Sequence, residues 1–274
     1  MEDNIIDGRK LALLRQQKLE EVIKTLNKTP KVVSFLIGED APSVLYTNIK
    51  QKKAIEIGIN FQPIHLASPL VEWEVVCSKI EELNQDESVD GIMVQLPLPE
   101  EFLKGKNDSE LLELIDGEKD VDGLTTKGKF LSATARSVIS ILEDENISVE
   151  GKKVVVVGAS NLVGKPVAES LRKMNANVEV CDTKTTNLKE CTLQADILIS
   201  ATGVPGLITG DMVKDNVIVI DVGAEKVDGK VVGDVDFESV AHKASRITPV
   251  PGGVGPMTVI SLMENVVEAV NIKS

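Results

Sequence analysis

Tyr46 and Lys50 stand four residues apart in SVLYTNIKQKKAIEIGI, and Tyr46 is the sole tyrosine of the chain. On a helix that spacing puts both side chains on one face. Ile49, Lys53, Ala54 and Ile57 fall on the same side. An amine beside an aromatic ring on an apolar face loses hydration, which lowers its pKa and equips it to take or give a proton. The pattern equally suits a lysine that lays its stem along an exposed helix and keeps its ammonium in water. Spacing alone leaves both readings open. A second polar candidate is Gln95, at the end of a strand-like run in GIMVQLPLP. In open α/β sheets ligands bind outside the carboxyl ends of strands. KDVDG, Lys119 to Gly123, adds two acids in an Asp-x-Asp-Gly turn. It lacks the further oxygen ligands of an EF-hand, so a turn with one working acid fits better.

VVVVGASNLVGKPVAESL reads as a buried strand, a turn and a helix beginning near Val163. Such a turn offers amides and a positive dipole end to a pyrophosphate. Gly158, Ser160 and Gly164 give G-x-S-x-x-x-G, one residue longer than the usual dinucleotide fingerprint. An ordinary tight turn of an α/β protein has the same look. Asp182 ends the next strand, where an acid accepts ribose hydroxyls and repels a 2′-phosphate. Thr183 and Lys184 pull the other way, because a hydroxyl and an ammonium can hold that phosphate, whereas Ala159 brings no guanidinium to the turn. A solvated loop acid is the competing reading of Asp182. PVPGGVGPMT, Pro249 to Thr258, mixes stiff and loose residues just before a helical pattern. Neither strand nor helix tolerates that mixture, so it is a loop of set shape.

The elements that must position these residues alternate along the chain. LALLRQQKLEEVIKTL is an amphipathic helix and KVVSFLIG a buried strand. A helix capped by Ser43 runs to Ile57 and stops at Gly58. NFQPIHL, VEWEVVCSKIEELNQ and GIMVQLPLP follow as strand, helix and strand. A second series begins near Lys152 with KKVVVVG, then a helix, then NVEVCD, DILISATG and VIVIDVG as strands. Asp228-Gly229 between valines marks a small hairpin. The expectation is two α/β domains with parallel sheets. Residues 1–140 form the substrate domain and 141–256 a Rossmann-type nucleotide domain. The helix from Met257 to Ile272, within a C-terminal segment 257–274, packs back on the first.

Composition narrows the function. The net charge of −13 and pI near 4.8 argue against nucleic acid and anionic membrane as partners. No apolar run reaches the length of a membrane span and the start shows no signal-peptide pattern. Cys77, Cys181 and Cys191 show no metal spacing, and His65 and His242 sit in no ligand-like setting. A reduced cytoplasmic protein without a metal centre is expected.

Seven segments occur in one order: SVLYTNIKQKKA, GIMVQLPLP, KDVDG, VVGASNLVGKPVA, ATGVPG, VIDVG and TPVPGGVGPMT. Together they resemble the bifunctional methylenetetrahydrofolate dehydrogenase/cyclohydrolase family from about residue 5 to 272. The resemblance implies two α/β domains with the active-site cleft between them. It implies NADP as cofactor, with NAD admitted by Asp182, tetrahydrofolate derivatives as substrates, and a homodimer. Lys50 matches the family's catalytic lysine and Tyr46 the tyrosine on the folate ring. Gln95 matches the glutamine beside the lysine and Asp122 the acid that binds the pterin. Pro251, Gly252 and Gly253 match the loop lining the cleft. Gly158, Ala159, Ser160, Val163, Gly164, Thr202, Gly203 and Gly223, with Asp182, Thr183 and Lys184, fall in the cofactor segments. Departures occur at Leu124–Gly128, where the family commonly reads FHPxNxG, and at Ser132–Ala135 in place of PCTP. Ala224-Glu225 follow the VIDVG segment, and Asp182 replaces a frequent histidine. Rival readings are a shikimate-like NADP dehydrogenase and a non-catalytic folate or nucleotide sensor.

Overall fold

The computed structural model describes residues 4–67 and 71–272. The last two residues of the 257–274 segment therefore lie outside the described part. The chain opens with α1 (Gly8–Thr25), β1 (Lys31–Ile37), α2 (Ala41–Glu56), β2 (Asn60–Leu66), α3 (Trp73–Gln85) and β3 (Gly91–Val94). Two short helices follow, α4 (Glu100–Leu103) and α5 (Asp108–Leu112), and then α6 (Ala133–Asp144). Next come β4 (Lys153–Val157), α7 (Gly164–Lys173), β5 (Asn177–Cys181), α8 (Leu188–Leu193), β6 (Ile197–Ser200) and β7 (Ile218–Asp221). The chain closes with β8 (Glu225–Val227), β9 (Lys230–Val232), α9 (Phe237–Ala241), β10 (Arg246–Ile247) and α10 (Val254–Ile272).

Two compact units result. One holds the chain through Leu14 together with Thr134–Ser261; the other holds Arg15–Ala133 and the chain from Leu262 on. The boundary thus falls inside α1 and inside α10.

The first unit is built on a five-stranded sheet, ordered β10-β7-β6-β4-β5, with every pair parallel. Its sequence is apolar without alternation because both faces are covered. Val154 and Val156 enter one core with Val167, Ala168 and Leu171 of α7. Val155 and Val157 enter another, with Leu198 and Val219. The hairpin β8–β9 is separate and antiparallel. Its Asp228 (φ 50°) and Gly229 (φ 80°) both take the left-handed region that a tight two-residue turn demands.

The second unit carries a three-stranded parallel sheet, ordered β2-β1-β3. Val33, Phe35, Ile92 and Val94 pack under α3 through Val76, Ile80 and Leu83. Asn265 of α10 is buried here and its Nδ2 donates to the carbonyls of Val121 and Leu131.

Two local expectations change. The N-cap of α2 is Asp40, not Ser43: its Oδ2 accepts from the Ser43 amide at 2.9 Å and from the Ser43 hydroxyl at 2.8 Å. Pro42 stands in the first turn, where its missing N–H costs nothing. Helix α10 begins at Val254, so the end of the proline-glycine segment is already helical. No helix among the described residues is long and apolar enough to cross a membrane.

Candidate functional site

In the second unit, α2 carries Tyr46 and Lys50 while β3 ends one residue before Gln95. The Gln95 amide donates to the Phe35 carbonyl, so the backbone stays in register with β1 past the strand end. Its side chain is held at both ends. Oε1 accepts from Lys50 Nζ at 3.0 Å, and Nε2 donates to the Leu96 carbonyl at 2.8 Å. The Leu96–Pro97 peptide that follows is cis. Lys50 is half-buried, while Tyr46 is 51% exposed and Ile49 is exposed too. The face expected to be apolar is therefore open beside the amine, and only Ala54 and Ile57 are buried. Lys53, on the same side, is engaged by Gln16 and Glu56.

The KDVDG turn divides its acids. Asp120 is buried and folds the turn, accepting the amides of Gly123, Leu124 and Thr125. Lys119 is buried as well, with Nζ on the carbonyls of Leu83 and Asp86. Asp122 is the acid within electrostatic reach of Lys50. Burial pushes its carboxyl above the usual carboxylate range; the Lys50 ammonium pulls it back and Asp120 adds to the rise. Gly123 (φ 68°) packs against the Leu131–Ser132 backbone, where a Cβ would stand 2.5 Å from the Ser132 nitrogen. One amine, one carboxamide and one carboxyl of raised proton affinity thus share the carboxyl end of β3, a set suited to moving a proton.

In the first unit, β4 and β5 end side by side, with Val157 in register with Cys181. Gly158 (φ 109°) leaves β4 so close to the next loop that a Cβ would lie 2.2 Å from the Ala201 oxygen. A Cβ on Gly164 would lie 1.9 Å from the Gly158 oxygen. Both glycines are therefore imposed by backbone packing. Ser160 takes over the start of α7. Its hydroxyl accepts the Val163 and Gly164 amides, and its carbonyl accepts that of Lys165. These three amides are committed, which corrects the expectation of free donors in the first turn of α7. What faces outward is the exposed Ser160 hydroxyl itself, its oxygen polarised by two N–H groups. Ala159 and Val163 are half-buried beside it.

Asp182, Thr183 and Lys184 are all exposed just past β5. Asp182 Oδ1 accepts the Lys184 amide at 2.9 Å, so this acid partly serves to shape its own turn. Thr202 and Gly203 (φ 70°) follow β6 and Gly223 follows β7, all at carboxyl ends of the sheet. Pro251, Gly252 and Gly253 precede α10. Gly252 (φ 117°) faces the Arg9 guanidinium, and a Cβ on Gly8 would collide with the Gly253 oxygen at 1.8 Å. The Val250–Pro251 peptide is cis.

Tyr46, Lys50, Gln95 and Asp122 thus belong to the second unit. The expected cofactor residues and the Pro251–Gly253 loop belong to the first. Sequence reasoning missed Asp40, Arg9 and two buried acids, Asp221 and Asp234. A further cluster, Glu179, Cys181 and Cys191, has its ligand atoms within 4.8 Å of one another. Lys153 already pairs with Glu179. Burial pushes the Cys181 thiol up to about 12, and the Glu179 carboxylate raises Cys191. The two thiols therefore hold their protons tightly, while the hydrogen bond from Lys153 holds the Glu179 carboxyl below the usual carboxylate range.

Two family models match the chain. The catalytic domain of tetrahydrofolate dehydrogenase/cyclohydrolase matches residues 6–122, and the NAD(P)-binding domain of the same family matches residues 132–274. The bifunctional protein FolD of Lactobacillus acidophilus is 47% identical, covering 96% of this chain and 96% of its own. The bifunctional FolD methylenetetrahydrofolate dehydrogenase/cyclohydrolase of Campylobacter jejuni superposes with a TM-score of 0.93 at 39% identity, covering 98% and 99% of the two chains. The FolD of Trypanosoma brucei, solved with NADP cofactor and inhibitor, superposes at 0.89 with 32% identity and covers 98% and 97%. With both of its domains matched in order, the chain belongs to the tetrahydrofolate dehydrogenase/cyclohydrolase family.

Proposed function

We propose that this chain oxidises 5,10-methylenetetrahydrofolate to the 5,10-methenyl form and hydrolyses that product to 10-formyltetrahydrofolate, with Lys50 as the group that handles protons. The observation that carries this reading is the Lys50 Nζ to Gln95 Oε1 hydrogen bond, 3.0 Å long, at the carboxyl end of β3. The family match supports the two activities and excludes the shikimate-like alternative. The sensor alternative would leave no reason to keep amine, carboxamide and acid together.

NADP, when bound, supplies the nicotinamide that accepts hydride from the methylene carbon. The residues present fit it. Gly158 and Gly164 let the turn close on its own backbone, and the exposed, polarised Ser160 hydroxyl is the group left to meet a pyrophosphate. One strand over, Asp182, Thr183 and Lys184 suit the adenosine ribose and its 2′-phosphate. Lys184 is the reading's determinant for NADP over NAD, and Asp182 is what leaves NAD usable.

In the hydrolytic step water adds to the methenyl carbon and gives up a proton; the carbon–N5 bond then breaks, N5 takes a proton, and one proton is released overall. Lys50, as the free amine, takes the water's proton and can return it to N5, with Gln95 fixing the direction of Nζ through a single acceptor bond. Tyr46, exposed one turn before Lys50, offers a ring face to the substrate's flat ring system. Asp122 binds polar groups of the pterin. The division of labour follows the compact units rather than the expected 1–140 and 141–256: Arg15–Ala133 with the chain from Leu262 on hold folate, and Thr134–Ser261 with the segment through Leu14 hold the nucleotide. Pro251, Gly252 and Gly253 offer backbone to the substrate. We further infer a homodimer working in the cytoplasm; no feature suggests nucleic acid or membrane as partner.

The test is an assay of both steps in parallel. Wild type turns over with NADP and less well with NAD. Lys50→Met loses roughly 10²–10⁴-fold in methenyl hydrolysis with unchanged circular dichroism and melting. Lys184→Ala raises KM for NADP and leaves that for NAD nearly unchanged. Near-normal hydrolysis by Lys50→Met overturns the assignment.

A further inference from the structure

Two acids, Asp221 and Asp234, are buried at the carboxyl ends of the central strands, and the reaction steps above use neither. Asp221 is the last residue of β7, in register with Ser200, the last of β6. Asp234 arrives from the other side, just after β9. Oxygen Oδ2 of Asp234 accepts the Ser200 hydroxyl at 2.9 Å and the Thr202 amide at 2.6 Å. Asp221 reciprocates: Oδ1 accepts the amides of Gly223 and Asp234, and Oδ2 that of Val235. Its own amide donates to the Thr248 hydroxyl at 2.7 Å.

The loops after β6 and β7 are therefore tied to each other through the segment that carries Asp234. The ties are made by hydrogen bonds to two buried carboxyl groups. Space is equally exact on both sides. A Cβ on Gly223 would stand 2.1 Å from Asp234 Oδ1, and one on Gly233 would stand 1.9 Å from Asp221 Oδ2. Each carboxyl thus rests against a glycine of the segment that carries the other acid. Asp234 Oδ1 is buried and takes no hydrogen bond. A fold that needed only core stability would not retain a buried acid with one oxygen unsatisfied, since an apolar side chain would serve at lower cost. The arrangement instead spends its polar contacts on the geometry of Thr202 and Gly223.

We propose that Asp234, backed by Asp221, is a positioning residue for the nicotinamide cofactor: it sets the backbone of Thr202–Gly203 and Gly223 without touching the ligand. The inference rests on the reading that these loops hold the nucleotide. It adds a residue that nothing in the dinucleotide fingerprint contains.

The experiment measures NADP and folate affinity separately, by titration of the full chain, for wild type, Asp234→Ala, Asp234→Asn and Ser200→Ala. Asp234→Ala should weaken NADP binding about 10–100-fold, the loss expected for hydrogen bonds to a charged group. Folate affinity and methenyl hydrolysis should stay within about twofold, a range too small to reflect a lost hydrogen bond. Asp234→Asn keeps an acceptor for the Thr202 amide and should recover most of the affinity. Ser200→Ala removes one bond and is the variant of choice if Asp234→Ala does not fold; it should weaken NADP about fivefold. A folded Asp234→Ala or Ser200→Ala that binds NADP like wild type overturns the inference. So does a parallel loss of NADP affinity, folate affinity and melting temperature, which marks a purely structural acid. Wild type that binds no NADP would instead reject the underlying nucleotide-site reading.

Discussion

At the scale of single residues, chemistry follows from which polar groups are already committed. KDVDG contains two acids two positions apart, and the sequence offers no way to rank them beyond family likeness. The structure separates them by their partners. Asp120 receives three backbone amides and cannot serve a ligand without unfolding its turn. Asp122 is held above the usual carboxylate range by burial and feels Lys50. Asp122→Ala should therefore weaken folate binding strongly and leave NADP binding near wild type, as separate titrations will show. Asp120→Ala should lower the melting temperature instead. Equal losses of both ligands in Asp122→Ala would place this acid outside the substrate site. Lys50 and Gln95 each stood out through local patterns, an i, i+4 spacing and a strand end, but their pairing was implied only by the family resemblance. The exposure of Tyr46 and Ile49 was not legible, because it depends on what does not pack over α2.

Elements decide how closely backbone approaches backbone. The turn after β4 was readable as strand, glycine and helix, but the reason for each glycine was not. Gly158 answers to Ala201, a residue far along the chain, and Gly164 answers to Gly158 itself. Gly164→Ala would put a methyl group 1.9 Å from a carbonyl oxygen that no rotamer change can move. The turn must open, and overpacking of this kind costs about 1–3 kcal/mol. The expected outcome is a lower melting temperature together with a large rise in KM for NADP. Retention of wild-type KM would mean that the turn does not set the nucleotide site. Helix α2 shows the opposite case. Asp40 and Ser43 both have capping side chains, three residues apart. Pro42 between them decides, since proline belongs in the first turn and not before the cap. That signal was in the sequence and points to Asp40.

On the scale of the whole molecule, long-range pairs carry what local patterns cannot express. Asp221 and Asp234 lie thirteen residues apart, separated by a hairpin, and only the sheet brings them together. Burial first, and the Asp234 charge in addition, push the Asp221 carboxyl up to about 7, from an ordinary value of 3.8. Between those two values the folded chain keeps a proton that the unfolded chain has released. Stability contributed by this group is thus complete at low pH, declines as pH rises through that window and levels off above it. Asp221→Asn removes the titration. Urea unfolding across the same window should show the gap between wild type and variant shrinking as pH rises. A gap that stays constant would show that Asp221 is ionised throughout. The parallel sheets and their order of elements were legible from alternating strand and helix patterns. The boundaries of the compact units were not, because α1 and α10 each read as one uninterrupted helix.

That interruption of units inside helices has a consequence for modularity. The nucleotide-binding unit draws Ile6, Leu11 and Ala12 into its core from the far end of the chain. The Ile6 amide donates to the Ile247 carbonyl and the Ile247 amide to the Asn4 carbonyl, and Gly8 sits hard against Gly253. A segment cut from about residue 134 onward would carry every residue proposed for the cofactor and still lack part of its own interior and the seat of its proline-glycine loop. Neither unit is a cassette that recombination could lift out and reuse by a single cut. The two units are interleaved along the chain, so separating either from the other takes more than one cut.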